Sequence, residues 1–185
     1  NFNLQWERNR PLVPRHLIVG VPERIDKDGV VVTPLDEAEV VKGVGYLLES
    51  GVESIAVCLF NSYVNGEHER RIGEIVRREA PNAYVSLSSE VDPRIREYPR
   101  ASTTVLNAYA MPKVYGYVDR LERALSPGSA TDLPGKGVKY MHSGGGVIPS
   151  SVARERPIAL VESGPAAGVL ACRYLGERLG IGDII

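Results

Sequence analysis

Sulfur is scarce in this sequence: Cys58 and Cys172 are the only two cysteines among 185 residues. Two isolated thiols form neither a disulfide framework nor a Cys/His metal site, and they point to a reducing, cytoplasmic location. Charge of one sign is lacking as well. Lys and Arg total 22 against 23 Asp and Glu, a net charge of −1 with the signs interspersed, which removes the electrostatic footprint of a nucleic-acid or anionic-membrane binder. No apolar run approaches the roughly 20 residues of a membrane span, and no signal peptide opens the sequence. The chain has no Gly-x-x-x-x-Gly-Lys-Ser/Thr loop and no defensible Ser-His-Asp spacing. His68-Glu69 begins like a zinc-protease motif, but the position of the second histidine is held by Ile72. His68 therefore reads as a first-turn surface residue. The residues assign no catalytic group and no metal ligand.

What is present is an ordinary apolar content of 43%, enough for a proper core in a chain of this length. Residues Asn1 to Arg15 form a lead-in segment without clear period. His16 to Arg24 and Val30-Val31-Val32 flank Asp26-Lys27-Asp28-Gly29, a hairpin in which Gly29 accepts positive φ cheaply. Asp36 with Glu39 marks a capped helix start, with Val40, Val44, Leu47 and Leu48 as its stripe up to Gly51. Ser54 to Phe60 is almost continuously apolar, as a strand buried on both faces should be. Asn65-Gly66 opens a helix with Ile72, Ile75 and Val76 inward, and Tyr84 to Ser88 is a further strand. Arg94, Arg96 and Arg100 beside Glu90, Asp92 and Glu97 read as solvated surface pairs. A long helix follows from Arg100 to Leu125, broken or kinked near Pro112, and Ser126 to Gly137 is a Gly/Pro/Ser-rich link. This alternation predicts an α/β fold with a largely parallel sheet and helices on both faces.

The most informative stretch is the last quarter. Val138 to Ser143 and Ile158 to Glu162 have strand length and content, and each stops at a small polar residue followed by glycine. After Gly164 the pattern turns helical, with Ala167, Leu170, Ala171 and Tyr174 on one face, Ser163 as N-cap and Pro165 in the first turn. The link of a dozen or so residues allows a right-handed crossover between parallel strands. Ser143, Gly144, Gly145, Gly146 and Glu162, Ser163, Gly164, Pro165 would then share one carboxyl sheet edge, where open α/β sheets collect ligands. A small-residue turn feeding a helix N-terminus offers N–H groups and a positive dipole end to an anion. The alternative is that both turns are tight packing joints.

Met141-His142-Ser143-Gly144-Gly145-Gly146, then Glu162-Ser163-Gly164-Pro165-Ala166-Ala167-Gly168, resemble the hydantoinase A/oxoprolinase family. So do Glu97-Tyr98-Pro99-Arg100-Ala101-Ser102-Thr103-Thr104-Val105-Leu106-Asn107-Ala108-Tyr109 and His68-Glu69-Arg70, so that the likeness covers nearly the whole chain. The family usually carries Gln where His142 stands. The resemblance implies part of an actin-like (ribonuclease H-like) ATPase lobe, with residues 1–125 as the rear of the family's N-terminal region and residues 138–185 as the start of its hydantoinase A region. It implies one compact α/β unit cut from a longer protein; both ends look truncated, and Gly182-Asp183-Ile184-Ile185 reads as a strand just starting. Neither of the family's Asp-x-Gly-Gly-Thr phosphate loops is present. The eight turn residues named above are the implied cofactor-binding positions, and the Glu162–Gly168 segment is similar to the connecting helix that precedes a phosphate loop in related chaperones. The implied parent uses ATP and Mg²⁺ to open a small cyclic amide, a hydantoin or oxoproline, with a B-type subunit or domain as partner. A ketone carboxylase subunit and a non-catalytic actin-like lobe are the implied alternatives. The isolated chain is expected to bind no cofactor and to be inactive.

Overall fold

A computed structural model describes residues 10–125 and 137–183. Most of the lead-in segment, nearly all of the Ser126–Gly137 link, and Ile184-Ile185 of the expected last strand lie outside the described residues. Two compact units meet between Val105 and Leu106. The division falls inside the long helix and not in the Gly/Pro/Ser-rich link, because the second half of that helix packs with the elements that follow it.

In the first unit a 3₁₀ turn at Arg15–Leu17 precedes the expected hairpin, β1 (Arg24–Ile25) antiparallel to β2 (Val31–Thr33). Gly29 sits at φ +84, and Asp26 Oδ1 accepts from the Asp28 and Val30 amides at 2.9 Å each, an Asx-type closure of the turn. Helix α1 (Glu37–Glu49) begins where Asp36 Oδ1 accepts from the Glu39 amide at 3.1 Å. Next come β3 (Ser54–Val57), α2 (Glu67–Glu79), β4 (Tyr84–Leu87) and the short α3 (Ser88–Val91). Strands β3 and β4 are parallel, pairing Ser54 with Tyr84 through Val57 with Leu87, and α2 is their crossover. Val40, Val44, Ile55, Val57, Ile72, Ile75, Val76 and Leu87 form the core between them.

Helix α4 (Glu97–Leu125) starts three residues before the expected position and runs through Pro112 without interruption. Pro99 lies in its first turn, where no intrahelical N–H bond is lost, whereas Pro112 removes the bond to the Ala108 carbonyl. In the second unit, the part of α4 carrying Val114, Val118 and Leu121 packs on β5 (Lys139–Met141), β6 (Val147–Pro149) and α5 (Ser150–Glu155) around Tyr140, Ile148 and Ala153. A 3₁₀ turn, Pro157–Leu160, leads to α6 (Ser163–Leu179).

Two expectations are corrected here. The sheet is not largely parallel: there are three two-stranded sheets among the described residues, of which only β3–β4 is parallel. Ile158–Glu162 is not a strand, so no crossover links it to β5. After β5 the chain turns straight back at Gly145 (φ +81) and Gly146 (φ +97) to make an antiparallel hairpin with β6. The Pro157–Leu160 segment is held as a helical turn because Asn107, fully buried on α4, grips its start on either side of Pro157. Its Nδ2 donates to the Glu155 carbonyl at 3.0 Å and its Oδ1 accepts from the Ile158 amide at 3.1 Å. A tertiary clamp overrides a strand-like local composition.

Candidate functional site

The two glycine turns both belong to the second unit. The first, His142–Gly146, is the tip of the β5–β6 hairpin. The His142 amide donates to the Gly146 carbonyl at 3.1 Å and the Gly145 amide to the His142 carbonyl at 3.0 Å. The Ser143 amide donates to the Ala159 carbonyl at 2.7 Å, fastening the tip to the 3₁₀ turn. The Gly144 amide donates to His142 Nδ1 at 3.1 Å. The imidazole lies against the turn: a Cβ at Gly144 would meet His142 Cε1 at 2.9 Å, and one at Gly146 would lie 3.7 Å from Nε2. A Cβ at Gly145 would touch Leu170 Cδ1 of α6 at 3.7 Å.

The second turn, Glu162–Pro165, is the start of α6. Ser163 is not the N-cap. That position is held by Glu162 in the left-handed region (φ 59), with no side-chain cap. Glu162, Gly164 and Pro165 are exposed, Ser163 is half-buried, and nothing lies within 4 Å of a Cβ built on Gly164. The structure thus ties the first turn to Ala159 and Leu170, residues on either side of the second, through a hairpin and not through a shared parallel sheet edge. The amides of Ser143, Gly144 and Gly145 are satisfied inside the protein, so the first turn does not present the donors that a phosphate cradle requires.

The carboxyl edge of the one parallel strand pair lies in the first unit, and it is filled by the protein's own charges. Glu69 and Arg100 are both fully buried. Glu69 Oε1 accepts from the Leu59 amide at 2.8 Å and from Ser88 Oγ at 2.6 Å, and its Oε2 from the Ser89 amide at 2.8 Å. Arg100 Nε donates to Ser88 Oγ at 3.2 Å, Nη1 to the Arg94 carbonyl at 2.9 Å and Nη2 to the Leu59 carbonyl at 2.7 Å, with the guanidinium 5.4 Å from the centre of the Tyr63 ring. One hydroxyl, Ser88 Oγ, joins carboxylate to guanidinium, with Ser62 Oγ 3.1 Å away. Burying both charges is tolerable only because each has several partners. The result clamps the segments after β3 and β4 to α2 and α4.

Two surface expectations are therefore corrected. His68 is not a surface residue: it is buried, with Nδ1 2.8 Å from Glu23 Oε2, itself buried. In the charge cluster, Arg94 does lie at the surface, paired with Asp92, but Arg100 does not. The Arg94 guanidinium holds the Asp92 carboxyl below its ordinary range, with Thr103 and Arg100 acting in the same direction. The overlooked signal was register. Glu69 shares the inward stripe of Ile72 and Val76, and Arg100, Thr104, Asn107 and Met111 recur at helical spacing.

Among the described residues, no group of three or more His, Cys, Asp or Glu is placed to hold a metal. No helix there is long and apolar enough to cross a membrane.

Residues 1–80 match the model of the hydantoinase/oxoprolinase N-terminal region, and residues 100–185 match that of hydantoinase/oxoprolinase. The chain belongs to the hydantoinase/oxoprolinase family. It is 38% identical to caprolactamase subunit alpha of Pseudomonas jessenii over 174 residues, 94% of this chain and 24% of that protein. The crystal structure of the ATP-dependent caprolactamase from Pseudomonas jessenii superposes with a TM-score of 0.79 at 35% identity, covering 95% of this chain and 26% of the other. A nucleotide-free structure of acetone carboxylase gives 0.74 at 34% identity, covering 94% and 24%. The chain spans about a quarter of the length of these relatives.

Proposed function

We propose that the chain is part of an ATP-dependent cyclic-amide hydrolase that opens its ring after phosphorylating the carbonyl oxygen. The observation that carries this reading is the likeness to the ATP-dependent caprolactamase across nearly the whole chain. A lactam carbonyl is a poor electrophile, and transferring a phosphoryl group to its oxygen makes the carbon open to water. Positioned phosphates and Mg²⁺ would supply the charge stabilisation. The acetone carboxylase likeness, nearly as strong, favours a second reading in which ATP activates a ketone for carboxylation. A B-type subunit as partner, a cytoplasmic location and an actin-like lobe belong to the same proposal. So does an isolated chain without ATP turnover.

Within it, Ser143–Gly146 and Glu162–Pro165 are proposed to face the nucleotide. The first turn does not fit phosphate as it stands, because the Ser143, Gly144 and Gly145 amides are already engaged. The cleaner probe is Gly164: a side chain there meets nothing within 4 Å, so Gly164→Val should leave folding nearly intact while impairing ATP-coupled turnover. Gly145→Val confounds the two, because φ +81 strains any side chain. The test is ATP turnover by the full-length protein with its partner, screened over hydantoins, lactams, oxoproline and ketones with bicarbonate. Turnover with ketones alone would replace the first reading by the second. An equal loss of stability and activity in Gly164→Val would make the turn a packing joint.

A further inference from the structure

The amide that an anion would most directly use at the hairpin tip is already occupied by a side chain. His142 Nδ1 accepts the Gly144 N–H at 3.1 Å, which places the ring proton of the neutral imidazole on Nε2. The ring is close enough to Gly144 that a methyl there would collide with it at 2.9 Å. Three other amides of the tip, those of Ser143, Gly145 and His142, are bound to the carbonyls of Ala159, His142 and Gly146. Those three bonds hold the hairpin and the 3₁₀ turn in place. The Gly144 bond holds only a half-buried side chain, free to rotate without unmaking any strand pairing.

We propose that His142 is a built-in competitor for the Gly144 amide. It keeps the tip closed to a phosphate-type anion and yields that one donor when its ring swings out. The proposal rests on reading the turn as phosphate-facing. Exchanging one accepting group for another costs little, whereas removing the competitor leaves the amide free. His142→Ala should therefore strengthen anion binding by about fivefold, the worth of one ordinary hydrogen bond.

The test uses the full-length protein with its partner, ¹⁵N-labelled in glycine, tyrosine and isoleucine, following the Gly144 and Gly145 amides by NMR with inorganic pyrophosphate as probe. Unchanged Tyr140 and Ile148 resonances check that the hairpin is intact. In His142→Ala the Gly144 amide should lose hydrogen-exchange protection by about fivefold, and pyrophosphate should shift it at correspondingly lower concentration. His142→Asn keeps an oxygen that can accept from the amide two residues on, so it should restore protection and weaken pyrophosphate binding again. Unchanged protection in His142→Ala overturns the competitor role, whatever pyrophosphate does. Alanine-like behaviour of His142→Asn overturns the assignment to the accepting atom. Lost protection with no pyrophosphate response in any of the three proteins overturns the phosphate reading of the turn, and the competitor role with it, while leaving the hydrogen bond itself established.

Discussion

Helices α2 and α6 are similar in length, 13 and 17 residues, and opposite in what they bury. On α2 six residues are buried, His68, Glu69, Ile72, Gly73, Ile75 and Val76; on α6 only Gly176 is. Val169, Tyr174, Leu175 and Leu179 of α6 are all more than half exposed. A helix in a protein owes most of its stability to packing of its apolar face, so α2 is built into its unit, whereas α6 lies largely uncovered. The same contrast runs through the cores. The first unit closes a parallel strand pair over a continuous apolar layer with a charged clamp at its edge. The second has a smaller cluster of three buried residues, Val118 of α4, Tyr140 of the hairpin and Ala153 of α5. The charged clamp and the thick core therefore lie in one unit, and the candidate glycine turns lie in the other.

The strongest way to break this contrast is to remove the clamp. Arg100→Met leaves Glu69 as a buried carboxylate without its cation, and should cost about 3–5 kcal/mol in the first unit, read by urea unfolding. Glu69→Gln should cost less, since it leaves most accepting positions filled. A double-mutant cycle should show strong coupling between the two residues, even though Ser88 stands between them. Additivity there would mean that Ser88 and the backbone, not the charge pair, hold the edge.

A packing test comes next. Ile75, fully buried, should lose about 2–4 kcal/mol on replacement by alanine, whereas Val169→Ala, at a position 62% exposed, should stay within about 0.5 kcal/mol. Equal losses would show that α6 is covered in solution and would erase the distinction between the helices. Smaller again is Asn107→Ala, which unpairs the Glu155 carbonyl and the Ile158 amide at about 1–3 kcal/mol. It should also release the hydrogen-exchange protection of Ile158, and unchanged protection would remove the reason given for the 3₁₀ turn.

How much of this was legible in the sequence follows the same line. The Asp26–Gly29 turn, the Asp36 cap and the α2 stripe are local devices, and each stands where the residues place it. The family was legible because its motifs are contiguous. What misled was composition without context. Ile158-Ala159-Leu160-Val161 has the residues of a strand, but Pro157 and the distant Asn107 decide its conformation. Arg100 reads as one more surface arginine until it is placed in register with Thr104 and Met111. The hairpin could have been read from Gly145-Gly146 as a reversal of the chain, where a crossover was inferred from loop length alone. The two small-residue turns were legible as turns, but not that the amides of the first are already engaged.

The smallest expected effect concerns pH and the pair at the rim of the clamp. Asp92 is buried and bonded to Arg94, with Thr103 and Arg100 also favouring its charged form, so its carboxyl titrates below the ordinary aspartate range. A folded-state pKa lower than the unfolded one means that the unfolded chain takes up the proton first as pH falls. The contribution is then fully present above the unfolded value, about 3.9, and is lost as pH falls through the lower folded value. Asp92→Asn cannot titrate, so it should be slightly less stable than the parent at pH 7, and the difference should vanish progressively below about pH 4. Urea midpoints of the two proteins measured from pH 7 to pH 3 check this. Parallel curves over the whole range would show that Arg94, which is mostly exposed, is screened by solvent too well to hold the carboxylate, and that the charge linkage of the first unit ends at Arg100.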